Sequence, residues 1–293
     1  MKPPVFDYIA PDTVDETLAA LQQHGWGAKV LAGGQSLVPL LNFRLAEPSI
    51  LVDLNRLEAL DYVRVNEAGS LLIGGMTRQR TLERDARVAE IAPLLAEAVP
   101  WIAHPQIRNR GTVGGSLAHA DPAAELPVVA VALGATLKIR SAGGERTVPA
   151  ETFFVALMTT DLAPDELLVE VEIPPMAPRT GCAFLEVARR KGDYAQAGVA
   201  ALVTLDAAGG VAAARLVYLT AGEVPTQAPR AVEMLCRDGL TDESIRAAAA
   251  LAAHEEIEPT DDIHASAEFK VHLAEVITRR ALTTARQRAE AQR

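Results

Sequence analysis

The stretch VLAGGQSLVPLL, from Val30 to Leu41, sets the reading of this chain. An apolar, strand-like run stops at Gly33-Gly34, the polar pair Gln35 and Ser36 follows, and a second apolar run begins. A glycine corner between a strand and a helix leaves main-chain N–H groups and a helix N-terminus pointing the same way, which together make an anion nest. With no Cβ in the way, phosphate oxygens can approach such a backbone closely. The arrangement returns in NRGTVGGSLAHADPAAELP, Asn109 to Pro127, where Gly114-Gly115 precedes Ser116. Either corner alone reads as a plain strand-to-helix turn. Two of them invite a ligand, and a phosphate-bearing one. The remaining pairs Gly74-Gly75, Gly143-Gly144 and Gly209-Gly210 read as turns or strand ends.

Outward from these corners the elements follow a mixed order. Thr13 and Glu16 have the capping-box spacing, and Gly25 sits where that helix should stop, so 13–24 is predicted helical. Ala28 to Ala32 and 49–54 read as strands, with SLVPLLNFRL between them as a helix whose Pro39 falls in the first turn. DYVRVNEAGSLLIGG and TLKIRSAGGERTVP read as hairpins. Between them TRQRTLERDARVAEIAPLLAEAVPWI reads as helix, broken at Pro93 or Pro100. LLVEVEIP is a strand, and MAPRTG, 176–181, is the best linker. Beyond it, two strands flank Gly209-Gly210, and TDESIRAAAALAAHEE and SAEFKVHLAEVITRRALTTARQRA read as helices. In the last, Phe269, Leu273, Val276 and Ile277 fall at helical spacing. Strand runs followed by helix runs mean α+β.

Composition narrows the function classes. Of 293 residues, 49% are apolar and 23% charged, which suits a chain with a large buried core. Aromatics are only 4%, so core contacts must be mainly aliphatic. A net charge of -10 argues against nucleic acid, which demands a basic face. Cys182 and Cys236 are isolated and cannot build an iron–sulfur cluster, which usually takes four thiolates. The histidines show no His-x-x-x-His spacing, so no metal site is expected. No run approaches a membrane span, and MKPPVFDYIAP breaks any signal-peptide core, so a cytoplasmic protein is expected.

Two nucleotide motifs fail. No lysine follows either corner as a Walker A loop requires, and no Gly-x-Gly-x-x-Gly exists. Asp53 lies where a dinucleotide fold would put its ribose acid, but without that glycine pattern it reads as a turn cap. Near the second corner, His119, Asp121 and Glu125 crowd within a few residues; the carboxylates suit ribose hydroxyls, and Asp121-Pro122 also suits an ordinary helix start. The Arg189–Tyr194 run places a tyrosine beside a basic loop, where it can stack on a ring.

In this order and spacing, AGGQSLVPLLNFRL, TVGGSLAHADPAAELP and RRKGDYA resemble the FAD-binding medium subunit of the molybdenum hydroxylases, the family of carbon monoxide and xanthine dehydrogenases. DDIHASAEFKVHLAEVITRRAL resembles that family's C-terminal flavoprotein domain, so the likeness covers nearly the whole chain. It implies a two-lobed α+β FAD-binding domain over 1–177 (lobes of about 1–56 and 57–177), then a small antiparallel sheet backed by helices over 178–293. It implies that Ala32, Gly33, Gly34, Gln35, Ser36 and Leu37 wrap the FAD diphosphate, and that Thr112, Gly114, Gly115 and Ser116 form a second loop against it. Glu125 stands where relatives usually carry aspartate, on the ribose or adenosine end; Ile102 and Leu168 match positions near the adenine or ring. Tyr194 matches the neighbour of the flavin ring. Gln35 and Ser116 replace a common histidine and asparagine, and Leu185 replaces a lysine, whose role is therefore not carried over. The implied partners are a small subunit with 2Fe-2S clusters and a large subunit with the molybdenum cofactor, assembled as a dimer of heterotrimers. The competing readings are a stand-alone FAD-dependent oxidoreductase, with His104, His119 or Asp193 as its base, and a nucleotide-binding scaffold without redox partners.

Overall fold

The computed structural model describes residues 2–292. Strand β1 (Asp7–Ile9) leads to helix α1 (Val14–His24), strand β2 (Ala28–Leu31), helix α2 (Leu37–Phe43) and strand β3 (Ile50–Asp53). The three strands form a parallel sheet in the order β1-β3-β2. Thr13 caps α1 by accepting from the Glu16 N–H at 3.1 Å. Glu16 returns the bond one residue earlier than a standard capping box, to the Asp12 N–H. Pro39 lies within α2, as the sequence predicts, and α2 ends at Arg44 in the left-handed region, φ 56°.

Strands β4 (Val63–Val65) and β5 (Leu71–Gly74) form the first predicted hairpin. The long predicted helix is instead a chain of short ones: α3 (Gln79–Arg84), α4 (Ala86–Ile91) and α5 (Pro93–Ala98). The extra break falls at Asp85, whose carboxylate takes the Arg87 N–H and so caps a new helix. Short α6 (Pro105–Arg108) and α7 (Val113–His119) precede α8 (Glu125–Ala132), every residue of which is buried. A helix apolar on all sides belongs inside a protein, and α8 lies between two sheets. Strands β6 (Thr136–Ser141) and β7 (Gly144–Pro149) form the second predicted hairpin. After α9 (Ala150–Phe153) and the small hairpin of β8 (Phe154–Ala156) and β9 (Thr159–Thr160), strand β10 (Leu167–Ile173) enters the middle of a sheet ordered β4-β5-β10-β6-β7.

The rest is a four-stranded antiparallel sheet, β11 (Thr180–Ala188), β12 (Ala195–Leu205), β13 (Val211–Leu219) and β14 (Thr226–Gln227), with helices α10 (Pro229–Asp238), α11 (Asp242–Leu251) and α12 (Ala267–Glu290). In this part the sequence reading lacks α10 and β14, and it places the first residues of β11 in the linker. Gly181 is no hinge. A Cβ there would lie 1.9 Å from the Ala285 carbonyl oxygen, so its bareness lets α12 lie directly on the strand. The buried face of α12 also differs from expectation. Ile277 is buried, but Phe269 is 47% exposed; Ala274, Ala281, Ala285 and Ala289 do the packing. Helices α10 to α12 cover one face of this sheet. The other face, with Phe184, Ala200, Leu202, Val217 and Leu219, joins the core around α5 and α8. Coverage on both faces explains why β12 is buried almost throughout. No helix among the described residues is long and apolar enough to cross a membrane.

Candidate functional site

The two glycine corners meet. A Cβ on Gly33 would lie 2.4 Å from the Arg110 carbonyl oxygen and 2.8 Å from the Gly111 Cα, so main chain packs on main chain there. A Cβ on Gly115 would sit 3.3 Å from that of Ala32. Gly34 adopts φ 73°, a left-handed turn that glycine enters at no steric cost. Among the described residues, the main-chain N–H groups from Gly33 to Leu37 donate to no main-chain carbonyl or side chain, whereas Val38 donates back to Gly34 at 3.1 Å. The Gln35 amide folds over the corner and donates to the Gly33 carbonyl at 3.1 Å. Ser36 stands at the N-cap of α2, yet its hydroxyl takes none of the helix's free N–H groups. This is a row of open donors at a helix start, half-buried, of the kind a diphosphate would occupy.

The second corner is built differently from the first. Thr112 caps α7 by accepting from the Gly115 N–H at 3.1 Å. The Val113 N–H goes to Thr77, that of Gly114 to the Gly75 carbonyl at 2.8 Å, and that of Ser116 to Thr112. The expectation that bare amides grip a diphosphate from both sides is therefore corrected: from Val113 to Ser116 the amides are committed within the protein. What this corner offers is surface, through the absent side chains of Gly114 and Gly115. A Cβ on Gly114 would come 2.7 Å from the Gly75 oxygen, and one on Gly75 would come 2.5 Å from the Leu168 oxygen. Gly74-Gly75, read from sequence as a strand end, is thus also the seat of the second corner.

A polar chain ties the corners together. Tyr8 donates to Asp53; Asp53 accepts the Asn55 N–H at 2.9 Å; Asn55 donates to the Ala32 carbonyl at 3.0 Å. Arg78 then bridges Asn55 Oδ1, at 2.6 Å, and the Arg110 carbonyl, at 2.5 Å. Burial sets the Asp53 carboxyl upward, but the bonds from Tyr8 and Asn55 outweigh it and leave it below the usual carboxylate range. Asp53 is the turn cap the sequence suggested. Asn55, Arg78, Arg110, Gly111 and Gly75 carried no motif, because their roles exist only across the fold.

The remaining predicted residues divide. Ile102 and Leu168 are 7% and 4% exposed, members of the core, and their carbonyl oxygens meet Arg108 and Gly75 respectively. Arg108 is buried; it donates to Ile102 at 2.8 Å and to Glu83 at 3.0 Å, which fixes the segment from Ile102 to His104. Gly192 closes on that segment: a Cβ there would lie 2.4 Å from the His104 ring. This brings the Arg189–Tyr194 loop to the site. The Tyr194 ring is 63% exposed, and partial desolvation with the charges of Asp121 and Glu125 raises its phenol. Glu125 opens α8 and is buried, and burial raises its carboxyl to about 7. Burial lowers the His119 imidazole. Leu185 packs toward α12, on the sheet face away from α8.

Residues 4–176 match the family described as the FAD binding domain in molybdopterin dehydrogenase, and residues 182–285 the CO dehydrogenase flavoprotein C-terminal domain. The chain is 44% identical over 289 residues to the alpha subunit of the 6-hydroxypseudooxynicotine dehydrogenase complex of Paenarthrobacter nicotinovorans, covering 99% of this chain and 97% of that one. It is 38% identical over 285 residues to the carbon monoxide dehydrogenase medium chain of Hydrogenophaga pseudoflava, covering 97% and 98%. The solved carbon monoxide dehydrogenase of Hydrogenophaga pseudoflava superposes with a TM-score of 0.94 over 98% of this chain and 99% of that chain. Quinoline 2-oxidoreductase from Pseudomonas putida 86 gives 0.93 at 41% identity, over 99% of both chains. With both halves matched, the chain belongs to the FAD-binding medium subunits of the molybdenum hydroxylases.

Proposed function

We propose that this chain is the electron-transfer subunit of a molybdenum-containing hydroxylase, taking electrons from the 2Fe-2S clusters of a small partner subunit and passing them to an external acceptor. Substrate oxidation then takes place on a large subunit that holds the molybdenum cofactor, and the whole is a cytoplasmic dimer of heterotrimers. FAD supplies the redox chemistry, because it can accept electrons singly and release them in pairs. The observation that carries the reading is the row of unspent N–H groups from Gly33 to Leu37, set against the second corner.

In this reading Ala32 to Leu37 hold the diphosphate, and Thr112, Gly114, Gly115 and Ser116 form the wall facing it. Glu125 accepts from the ribose or adenosine end. Ile102 and Leu168 shape the floor through their main chain, since their side chains are spent in the core. Tyr194 stands beside the flavin ring and controls the acceptor's access. The cofactor domain runs over 1–177 and the C-terminal domain over 178–293.

Reconstitution with and without partners tests this. The isolated chain should take up FAD and turn over no organic substrate. With its native small and large subunits, its bound flavin should be reduced by substrate. Substrate turnover by the chain alone would favour the stand-alone oxidoreductase. Gly34→Val should abolish flavin retention, because valine cannot sit at φ 73° beside Leu31 and Val38 without strain.

A further inference from the structure

Between α11 and α12 lies an open groove of about 570 Å³, within the size range of small-molecule sites. It shares no residue with the two glycine corners. Its helices cover the sheet face that does not pack on α5 and α8. On α12, Val276, Arg279, Arg280, Thr283 and Thr284 recur at intervals of three and four, which sets them along one side of the helix. Asp242, Ile245 and Arg246 do the same on α11. Ile245, which is buried, and the half-buried Val276 supply its apolar lining.

The charge of the groove is lopsided in a chain whose net charge is -10. Three arginines line it against one carboxylate, Asp242. That carboxylate is already paired, with Arg286 at 3.0 Å. None of the three lining arginines forms a salt bridge among the described residues. Arg246 spends its Nε on the Asp242 carbonyl at 3.2 Å and leaves both terminal nitrogens unbonded. The Arg279 side chain donates to nothing among the described residues, and its Nε is buried with no acceptor. Arg280 is exposed and likewise unpaired among the described residues. Thr283 turns its hydroxyl back to the Arg279 carbonyl at 2.8 Å. Thr284 makes no such bond, so its hydroxyl remains a donor. A buried donor left unpaired is costly and needs a reason. Neighbouring guanidinium groups also repel one another, and an anion relieves both.

Guanidinium forks match phosphate oxygens two at a time. A lone carboxylate would leave most of these donors unused. A nucleic acid or an anionic membrane would meet the whole negatively charged body, whereas a small polyanion meets only the groove. We propose that the groove between α11 and α12 binds a small molecule carrying linked phosphates, held by Arg246, Arg279 and Arg280, with the Thr284 hydroxyl as a further donor. Ile245 and Val276 offer its organic part an apolar contact.

The test uses the full chain loaded with FAD, so that the first corner is filled, and inorganic pyrophosphate as the probe. Calorimetry at about 0.15 M salt should show saturable binding at about 1 mM pyrophosphate or below. No saturable binding in that range would overturn the site. Arg280→Gln, at an exposed position, should keep the urea midpoint and weaken pyrophosphate binding by about tenfold or more. Arg246→Gln should do the same. Unchanged affinity in both variants would put the binding elsewhere and overturn the proposal. Malonate tests the chemical class. It should bind about tenfold more weakly than pyrophosphate; equal affinity would overturn a phosphate site in favour of one for carboxylates, such as an acidic peptide. Should the chain take up no FAD, the same variants still decide the groove, because neither arginine belongs to the corners.

Discussion

Gly33 and Arg110, far apart in the chain, are in main-chain contact: a Cβ on the glycine would stand 2.4 Å from the arginine's carbonyl oxygen. That carbonyl also accepts from Arg78 at 2.5 Å, and Arg78 reaches back through Asn55 to the Ala32 carbonyl. The first corner is thus held to the second from below by a polar chain and from the side by bare backbone.

Gly33→Ala should therefore separate the corners. The methyl group meets backbone, which cannot swing aside as a side chain can, so we expect a loss of about 1–3 kcal/mol in stability. Flavin retention should fall further than stability does. The ratio of flavin to protein absorbance after gel filtration, set beside a urea titration, separates the two effects.

Arg108→Met should loosen the Ile102–His104 segment. The salt bridge to Glu83 is mostly buried, with side chains 6% and 21% exposed. Removing one partner of such a pair costs about 3 kcal/mol; Arg80, which also pairs with Glu83, holds the loss to that range. Hydrogen exchange should speed up at Ala103, His104 and the contacting Gly192 before it does so in β12.

Tyr194→Ala should leave FAD bound and change the rate at which reduced flavin is reoxidised. The ring is largely exposed, so its loss should move the urea midpoint little. Stopped-flow reoxidation by a quinone and by oxygen would show whether the tyrosine selects between acceptors.

Acid should strike the C-terminal part through Asp262. Burial would raise its carboxyl, but the Lys270 ammonium at 2.6 Å and the N–H groups of Ala265 and His264 overcome this and hold it at about 2. An unfolded aspartate titrates near 3.9. The depressed value means that the stabilisation is complete above about pH 4 and disappears as pH falls toward 2. Asp262→Asn should lower the urea midpoint at pH 7 and flatten its dependence on pH between 4 and 2.

Gly181→Val should disrupt the seat of α12. Its Cβ would meet the Ala285 oxygen at 1.9 Å and the Ala289 nitrogen at 2.5 Å, both in helix backbone. We expect a loss of about 3 kcal/mol or more, read as a lower thermal midpoint by circular dichroism.

The sequence by itself determined the local events: the Thr13 cap, the helix after Ser36, both hairpins and, through the family's motifs, the class of ligand. These depend on short-range sterics and hydrogen bonds, which a few neighbouring residues settle. Three things belonged to the tertiary structure alone. The second corner's amides are spent on Gly75, Thr77 and Thr112, a matter of which strand passes beneath them. The buried stripe of α12 runs through Ala274, Ala281, Ala285 and Ala289 beside Ile277 and Leu282, while Phe269 stays exposed, because close approach to Gly181 requires small side chains at Ala285 and Ala289. Glu186 reads as an ordinary surface carboxylate in a strand. It lies on the sheet face that joins the core around α5 and α8, and burial, which no linear pattern records, raises its carboxyl.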